Sequence, residues 1–322
     1  MKILKDSLKD LQFNDKNSIV LDIETSGVSR INSRIIVASL LDENGQFTQL
    51  IANDSEEEID LLDYLYPYIN NKKIITYNGE NFDIPFLKSR YIFHKLDPFT
   101  EKGQFDLYRY FIKNRLILNN ELFSLKDIEN HYSIARFENF EQDYDFNFYK
   151  DLSDTYSDLE SNFYILEDLL LVLLHNKYDV INTRKLLNVV DDIEREKLVD
   201  LKHINGKNGL NFSSAKIKKL YIDKDFLKIR LKLKENINNF FYLNNLYKLE
   251  INDEYAHLDI SIRQGYLSPE QIGYVHIADQ INEDFSNKKY NLPANIIYIF
   301  DGRFNLENIK LIIKMAFNSF FN

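Results

Sequence analysis

The chain has 322 residues, enough for two domains, and 44% of them are hydrophobic, which predicts packed cores rather than disorder. Cysteine is absent, and this excludes disulfides, thiolate zinc sites and cysteine nucleophiles. The N-terminal segment is charged and lacks the apolar core of a signal peptide, and the most apolar stretch is too short to span a bilayer. We therefore expect a soluble cytoplasmic protein with no membrane partner.

Charge is distributed unevenly along the chain. The net charge of −10 argues against a protein that coats nucleic acid through a general positive field. It does not argue against a nuclease, since bound divalent metal makes an acidic centre attractive to phosphate. Residues 137–168 contain ten acids and one base, whereas residues 200–234 contain ten bases and three acids. Either run can be a solvated face; the alternative for the basic run is that it helps to hold a polyanion.

The first predicted element is a buried strand at residues 18–24, a short apolar run that ends at Thr-Ser-Gly. Asn44-Gly45 predicts a hairpin between the next two strands, and Ser55 with Glu58 has the spacing of a capping box at a helix start. The following elements are predicted in chain order as strands at 34–41, 46–51 and 73–77 and helices at 55–70, from 83, at 106–113, at 124–132 and at 159–190. This order predicts an α/β domain with a mixed sheet over residues 1–195.

The pattern changes after about residue 200. Residues 227–233 alternate between apolar and basic side chains, which predicts a half-buried strand with a basic outer face. Further strands are predicted at 247–251 and 296–300, and a closing helix at 306–317. These elements indicate a smaller α+β region over residues 196–322.

Asp22 and Glu24 are two positions apart on the first predicted strand, so their carboxylates lie on the same side of it. Such a pair on a buried strand is costly unless a cation joins the two acids. With 50 acids in the chain, chance alone gives about eight acid-x-acid pairs, so the pattern has no weight without its context. A strand end that faces solvent is the alternative explanation.

Two further acids lie next to helix signals. Asp83 follows a tight Asn-Gly turn after the strand at 73–77 and begins a helix, where an acid is most often an N-cap. His175 and Asp179 are four positions apart and share one face of a predicted helix, while Tyr178 points elsewhere. The alternative for His175 and Asp179 is a surface ion pair. We interpret a fifth acid, Asp106, as the cap of a short helix.

The three elements together resemble the motifs of DEDD-type 3′–5′ exonucleases, and most closely the YprB-like branch of ribonuclease-H-like domains. The matching residues, in chain order, are Asp22-x-Glu24-Thr25, Tyr77-Asn78-Gly79-x-x-Phe82-Asp83 and His175-x-x-x-Asp179. The resemblance covers roughly residues 17–190, and its most specific part is the segment Asn-Gly-x-x-Phe-Asp-Ile-Pro. One departure is that His175 stands at the spacing where better-known members carry tyrosine.

The resemblance implies a ribonuclease-H-like mixed sheet flanked by helices and a 3′–5′ exonuclease that hydrolyses phosphodiester bonds with two Mg²⁺ or Mn²⁺ ions. Its partner would be nucleic acid, with a single-stranded 3′ end expected. The implied metal ligands are Asp22, which would bridge both ions, together with Glu24, Asp83 and Asp179. His175 would act as the general base, and Thr25 and Asn78 would place the terminal nucleotide.

Two alternatives to an exonuclease stay open. A structure-selective endonuclease could use the same metal ions. A catalytically silent module could use the same fold to bind nucleic acid or a protein. A silent relative is expected to lose a metal ligand, whereas here every matching position keeps its acid, so an enzyme is favoured. DNA and RNA are both admissible substrates, and the sequence assigns no role to residues 196–322.

Overall fold

The structure is a computed structural model that describes residues 1–118, 121–136, 163–202, 212–278 and 289–321. The chain divides into two compact units. The first contains Met1–Lys113 and Glu121–Val189, and the second contains Asn114–Asn120 and Val190–Asn322. Most of the acidic run at 137–168 and the start of the helix predicted at 159–190 lie outside the described residues.

The first unit is built on a six-stranded sheet with the strand order β1-β4-β3-β2-β5-β6. Strands β1 to β4 pair antiparallel with their neighbours, and β5 and β6 continue the sheet parallel to β2. The strands are β1 (Lys2–Ser7), β2 (Ser18–Thr25), β3 (Ile35–Asp42), β4 (Gln46–Ile51), β5 (Lys73–Thr76) and β6 (Gly103–Asp106). The predicted mixed α/β fold is confirmed, although β1 and β6 were not among the predicted strands.

Helices cover both faces of this sheet. They are α1 (Ser55–Ile69), α2 (Asp83–Phe93), α3 (Leu107–Lys113), α5 (Leu125–His131) and α6 (Phe163–Glu196), while α4 (Arg115–Leu118) lies in the second unit. On one face, apolar residues of β2 such as Leu21 pack in one cluster with α1 and α2. On the other face, Val37 of β3 packs against Leu174 and Tyr178 of α6. Since Glu24 is directly opposite Val37 in the antiparallel ladder, Asp22 and Glu24 face the side covered by α6.

The predicted capping box at the start of α1 is wrong. The N-cap is Asp54, which accepts hydrogen bonds from the backbone N–H groups of Glu56 and Glu57 at 2.9 Å. Glu58 instead lies in the core, where it accepts hydrogen bonds from Ile35 N at 2.8 Å and from Arg90 Nη2 at 2.6 Å. Although burial acts in the opposite direction, these hydrogen bonds lower the pKa of Glu58. A buried ion pair thus ties α1 to α2.

The second unit contains a four-stranded and a three-stranded antiparallel sheet, in the orders β10-β9-β8-β7 and β11-β12-β13. The elements are β7 (Leu198–Asp200), β8 (Ser214–Asp223), β9 (Phe226–Leu243), β10 (Tyr247–Ser261), β11 (Arg263–Ser268), β12 (Gln271–Ile277), β13 (Ile296–Phe300) and α7 (Leu306–Phe321). One core joins apolar side chains of the four-stranded sheet, of β13 and of α7. The predicted strands and closing helix of this region are present, but β7, β8, β11 and β12 were not predicted.

Strand β9 alternates as the sequence predicts. Leu227, Ile229 and Leu231 are buried in the core, whereas Lys228 and Arg230 lie on the opposite face of the sheet. In the part of the chain that the structure describes, no helix is long and apolar enough to cross a membrane.

Candidate functional site

The candidate site begins where β2 extends beyond β5. The parallel ladder between these strands ends with Val20 opposite Ile75, so further along β2 the backbone of Ile23 has no strand partner on that side. Its N–H group donates instead to Asp83 Oδ1 at 3.0 Å. This bond joins the first motif to the first residue of α2 across 60 positions of sequence. Asp83 is buried, and its side chain is fixed against the strand that carries Asp22 and Glu24.

Asp106 fixes the loop that leads to Asp83. Its Oδ1 accepts from Asn78 N at 2.9 Å and its Oδ2 accepts from Glu80 N at 3.1 Å. Asp106 Oδ1 also accepts from Tyr108 N at 2.9 Å, which confirms its interpretation as the cap of a short helix. A Cβ atom at Gly79 would lie 2.5 Å from the Thr76 side chain, so the turn requires glycine there.

Asp22 is anchored from the opposite direction by α6. Asn176, which is fully buried, donates through Nδ2 to Asp22 Oδ2 at 2.7 Å. Its Oδ1 accepts from Gln49 Nε2 at 3.2 Å, and Gln49 Nε2 is also 3.0 Å from Ser39 Oγ. Ser39 stands directly opposite both Asp22 and Gln49 in the sheet. A buried polar row therefore runs beneath the site and orients one Asp22 oxygen.

Asp179 is held by Arg136. Arg136 Nη2 donates to Asp179 Oδ1 at 2.5 Å and to Glu129 Oε1 at 2.7 Å. Glu129 is buried and also accepts from Asn182 Nδ2 at 2.9 Å. Although burial opposes the charged guanidinium, the hydrogen bonds to Glu129 and Asp179 raise the pKa of Arg136 above its usual value. Arg136 is thus a fixed cation beside one acid of the site.

The four predicted acids come close enough to repel one another. Burial raises the pKa of Asp22 well above its ordinary value, and the charges of Asp83, Asp179 and Glu24 raise it further. Burial and the charges of Asp179 and Asp83 raise the pKa of Glu24 to about 7. Burial raises the pKa of Asp83 to about 7, although the hydrogen bond from Ile23 N acts to lower it. Burial also raises the pKa of Asp179, although the charge of Arg136 acts to lower it.

These residues fit a hard divalent cation. One ligand atom each of Glu24, His175 and Asp179 lies within 4.8 Å of the others. Asp22 and Asp83 add carboxylate oxygens, which are the ligands that magnesium and manganese prefer. A cation would also relieve the mutual repulsion that, in addition to burial, raises the pKa values of Asp22 and Glu24.

The remaining predicted residues lie around this group. His175 is exposed, with Nε2 3.5 Å from Asp179 Oδ2. Tyr178, on the same helix, is instead buried against the sheet. Thr25 Oγ1 donates to Gly27 O at 2.8 Å and so stabilises the turn after β2. Asn78 is exposed, in a left-handed backbone conformation with φ of 65°. The roles of His175, Thr25 and Asn78 in the reaction stay predictions.

Sequence reasoning missed the residues that support the carboxylates. Asn176 directly follows His175, and its position on the buried side of α6 was the available signal. Arg136, Glu129 and Gln49 had no such signal, because their contacts depend on tertiary structure. Arg136 and Asp179 are 43 positions apart in the chain.

The family model described as the RNase H superfamily matches residues 19–191, a range that contains all the predicted site residues. No curated protein matches the chain. Among solved structures, the chain is similar to E. coli Exonuclease I in complex with a 5cy-dT13 oligonucleotide, with 13% identity and a TM-score of 0.33 over 70% of this chain and 56% of that one. An ExoI/SSB-Ct complex gives 10% identity and the same TM-score and coverage. The chain thus spans just over half the length of these proteins.

The raised pKa values predict that the metal-free protein loses stability as the pH rises. The folded-state pKa values of Glu24 and Asp83, about 7, exceed the value near 4 expected in the unfolded chain, so the folded state binds protons more tightly. The loss should begin near pH 4 and be complete above about pH 8, and at about 1.4 kcal/mol for each pKa unit between the unfolded and folded states it should reach several kcal/mol. Urea unfolding in EDTA at pH 5.5 and pH 8 measures it. Asp22→Asn should reduce this slope; an equal or steeper slope contradicts the prediction.

Asn176 should contribute to metal affinity through Asp22. We expect Asn176→Ala to weaken Mn²⁺ binding about tenfold, because Asp22 loses the donor that orients it. Isothermal titration calorimetry measures the affinity. Asn308→Ala is the matched control, since Asn308 is fully buried in the second unit and donates to Tyr298 O at 2.9 Å. Equal Mn²⁺ affinities for the two variants would refute the role of Asn176.

Proposed function

Because the chain belongs to the RNase H superfamily, we propose that it is a divalent-metal-dependent nuclease that hydrolyses phosphodiester bonds of nucleic acid. The observation that carries the proposal is the convergence of Asp22, Glu24, Asp83 and Asp179: burial raises the pKa of each acid, and the charges of neighbouring members of the group raise the pKa values of Asp22, Glu24 and Asp83 further. A cluster of acids with strongly raised pKa values is typical of a functional site, because the fold alone gains nothing from the repulsion.

The finer proposal is a 3′–5′ exonuclease that acts on a single-stranded 3′ end with two Mg²⁺ or Mn²⁺ ions. Asp22, Glu24, Asp83 and Asp179 would hold these ions. When bound, such ions make water a better nucleophile and neutralise charge on the phosphate. Strand polarity rests on the motif resemblance, and the two-ion arrangement rests on the number of converging carboxylates.

Protein donors pre-organise three of the four acids. One oxygen of each is held, by Asn176 for Asp22, by Ile23 N for Asp83 and by Arg136 for Asp179. For Asp179, the second oxygen faces the side of His175 and Glu24. Ligands fixed before metal arrives lose less entropy on binding, and fixed charges cost less reorganisation during the reaction.

The hydrogen bonding of His175 bears on its role as a base. Arg136 Nη1 lies 3.3 Å from His175 Nδ1, and a guanidinium can only donate, so Nδ1 must be the acceptor. The neutral ring then carries its proton on Nε2, the atom nearer to Asp179. To accept a proton from water, His175 must either exchange tautomer or use Nδ1 after Arg136 has released it.

Metal dependence provides the first test. Asp22→Asn should abolish cleavage while the fold is kept, because it removes a charge without emptying core volume. The assay uses 5′-labelled single-stranded DNA and RNA with Mg²⁺, Mn²⁺ or EDTA, resolved as a ladder. Asp60→Asn, at an exposed position of α1, is the charge-matched control and should cleave normally.

The products of this assay separate the candidate activities. A progressively shortening ladder supports an exonuclease that starts at the 3′ end. Internal fragments support an endonuclease instead. Cleavage in excess EDTA, or cleavage by the Asp22→Asn variant, would contradict the proposal of a metal-dependent nuclease. The absence of product under every condition would support a catalytically silent binding module.

The role of His175 predicts a contrast with Tyr178. His175→Ala should reduce the single-turnover rate by on the order of 10²–10⁴-fold at saturating Mn²⁺, the usual range for a general base. Mn²⁺ affinity should change little, because magnesium and manganese prefer oxygen ligands. Tyr178→Phe, in the packed interior, should remain near the parent rate. A slow Tyr178→Phe with a normal His175→Ala would overturn this assignment, and a large loss of Mn²⁺ affinity in His175→Ala would make the imidazole a ligand instead.

A further inference from the structure

The outer face of the four-stranded sheet in the second unit is basic and is not explained by the proposed catalytic site. Strands β8, β9 and β10 place residues directly opposite one another on this face. The three rows, each written from β8 to β10, are Tyr221–Lys228–Asp259, Lys219–Arg230–His257 and Lys216–Lys232–Tyr255. We call these nine residues the basic sheet face. A register shift between Ile217 and Lys219 brings Lys216 and Lys219 to the same face.

Several cations of the basic sheet face are already neutralised by nearby acids. Lys228 lies 3.3 Å from Asp223, and Lys216 lies 2.7 Å from Glu194. Lys232 is 3.2 Å from a carboxylate oxygen as well, that of Glu254. These lysines therefore have counterions within the protein.

The central row is different. Among the residues that the structure describes, neither Lys219 nor Arg230 forms an ion pair, although they stand directly opposite each other. Directly opposed like charges destabilise a sheet, so this pair has no benefit for folding. His257, the third member of the row, is exposed. An external anion between these side chains would remove the repulsion.

Aromatic rings flank the central pair. Lys219 Nζ lies 4.6 Å from the centre of the Tyr221 ring, and the Arg230 guanidinium lies 4.4 Å from that of Tyr255. Tyr221 is 39% exposed. Cations interleaved with accessible aromatic rings are the pattern that binds single-stranded nucleic acid, where phosphates meet the cations and bases stack on the rings.

The face is also concave. A cleft of about 330 Å³ is lined by Lys219, Tyr221, Arg230 and His257, and Lys248 from the start of β10 adds a further cation. Two acids, Glu250 and Asp259, line the same cleft. Because the cleft contains charges of both signs, it favours a ligand that also stacks on aromatic rings and disfavours a ligand that binds through charge alone.

We propose that the basic sheet face is a binding site for single-stranded nucleic acid. Lys219 and Arg230 would contact phosphates, and Tyr221 would stack on a base. The proposal rests on the proposed function only for the class of ligand, since a nuclease needs a polyanion. An acidic peptide is the competing ligand.

The test measures binding without cleavage. Fluorescence anisotropy with a labelled oligo(dT) or oligo(U) of about 20 nucleotides is recorded in EDTA, with Asp22→Asn as the parent. Lys219→Ala combined with Arg230→Ala should weaken binding about tenfold near 0.1 M salt and reduce the slope of log affinity against log salt by about 1.4. Arg303→Ala combined with Lys310→Ala, which removes the same charges from the same unit outside the basic sheet face, should bind like the parent.

The aromatic contact has its own variant. Tyr221→Ala should weaken binding about fivefold or more, while Tyr221→Phe should keep it, because stacking needs the ring but not the hydroxyl. The proposal would be overturned if the parent does not bind the oligonucleotide, or if the control pair loses as much affinity as Lys219→Ala with Arg230→Ala. It would also be overturned if poly-glutamate displaces the labelled oligonucleotide as well as unlabelled oligonucleotide does. If the unsubstituted protein cleaves nucleic acid but the variants of the basic sheet face bind as tightly as the parent, only the proposal for the basic sheet face is overturned. If these variants bind more weakly but the unsubstituted protein cleaves nothing, the nuclease proposal is overturned and the binding site remains supported.

Discussion

Repulsion among four carboxylates is the constraint on which the first unit depends. Asp22, Glu24, Asp83 and Asp179 lie where burial and like charge both disfavour ionisation. Such an arrangement persists only if the surrounding structure fixes it, since each acid alone would gain by moving into water. The sheet contributes two of these positions, and α2 and α6 contribute one each, so the site exists only in the assembled fold.

The groups that donate hydrogen bonds to the acids differ in charge, and the acids therefore differ in how far they are neutralised by the protein. A backbone N–H holds Asp83 and an amide holds Asp22, and neither donor brings a full charge. Asp179 is instead paired with Arg136, whose own charge is balanced by buried Glu129. Asp179 is therefore partly neutralised before any metal binds, and the deficit of positive charge is concentrated on Asp22, Glu24 and Asp83.

The sequence predicted what depends on local pattern. The alternation of β9 and the acids at the end of β2 could be read from neighbouring residues. Glu58 shows the limit, because its spacing from Ser55 matched a capping box while its carboxylate was needed by Arg90, 32 positions away. Edge strand β1 was missed because its burial is only partial along its length. Networks such as the one beneath Asp22 join four elements, and no local pattern encodes them.

The two units contain unbalanced charge of opposite sign. The carboxylates of the first unit lack enough cations among the described residues, and in the second unit Lys219 and Arg230 oppose each other without an acid partner in the described chain. Neither excess benefits folding, since both raise the energy of the isolated protein. Divalent metal would neutralise the first excess and a polyanion the second. A nucleic acid that arrives with metal ions contains both components, so one class of ligand accounts for both departures from a charge-balanced fold.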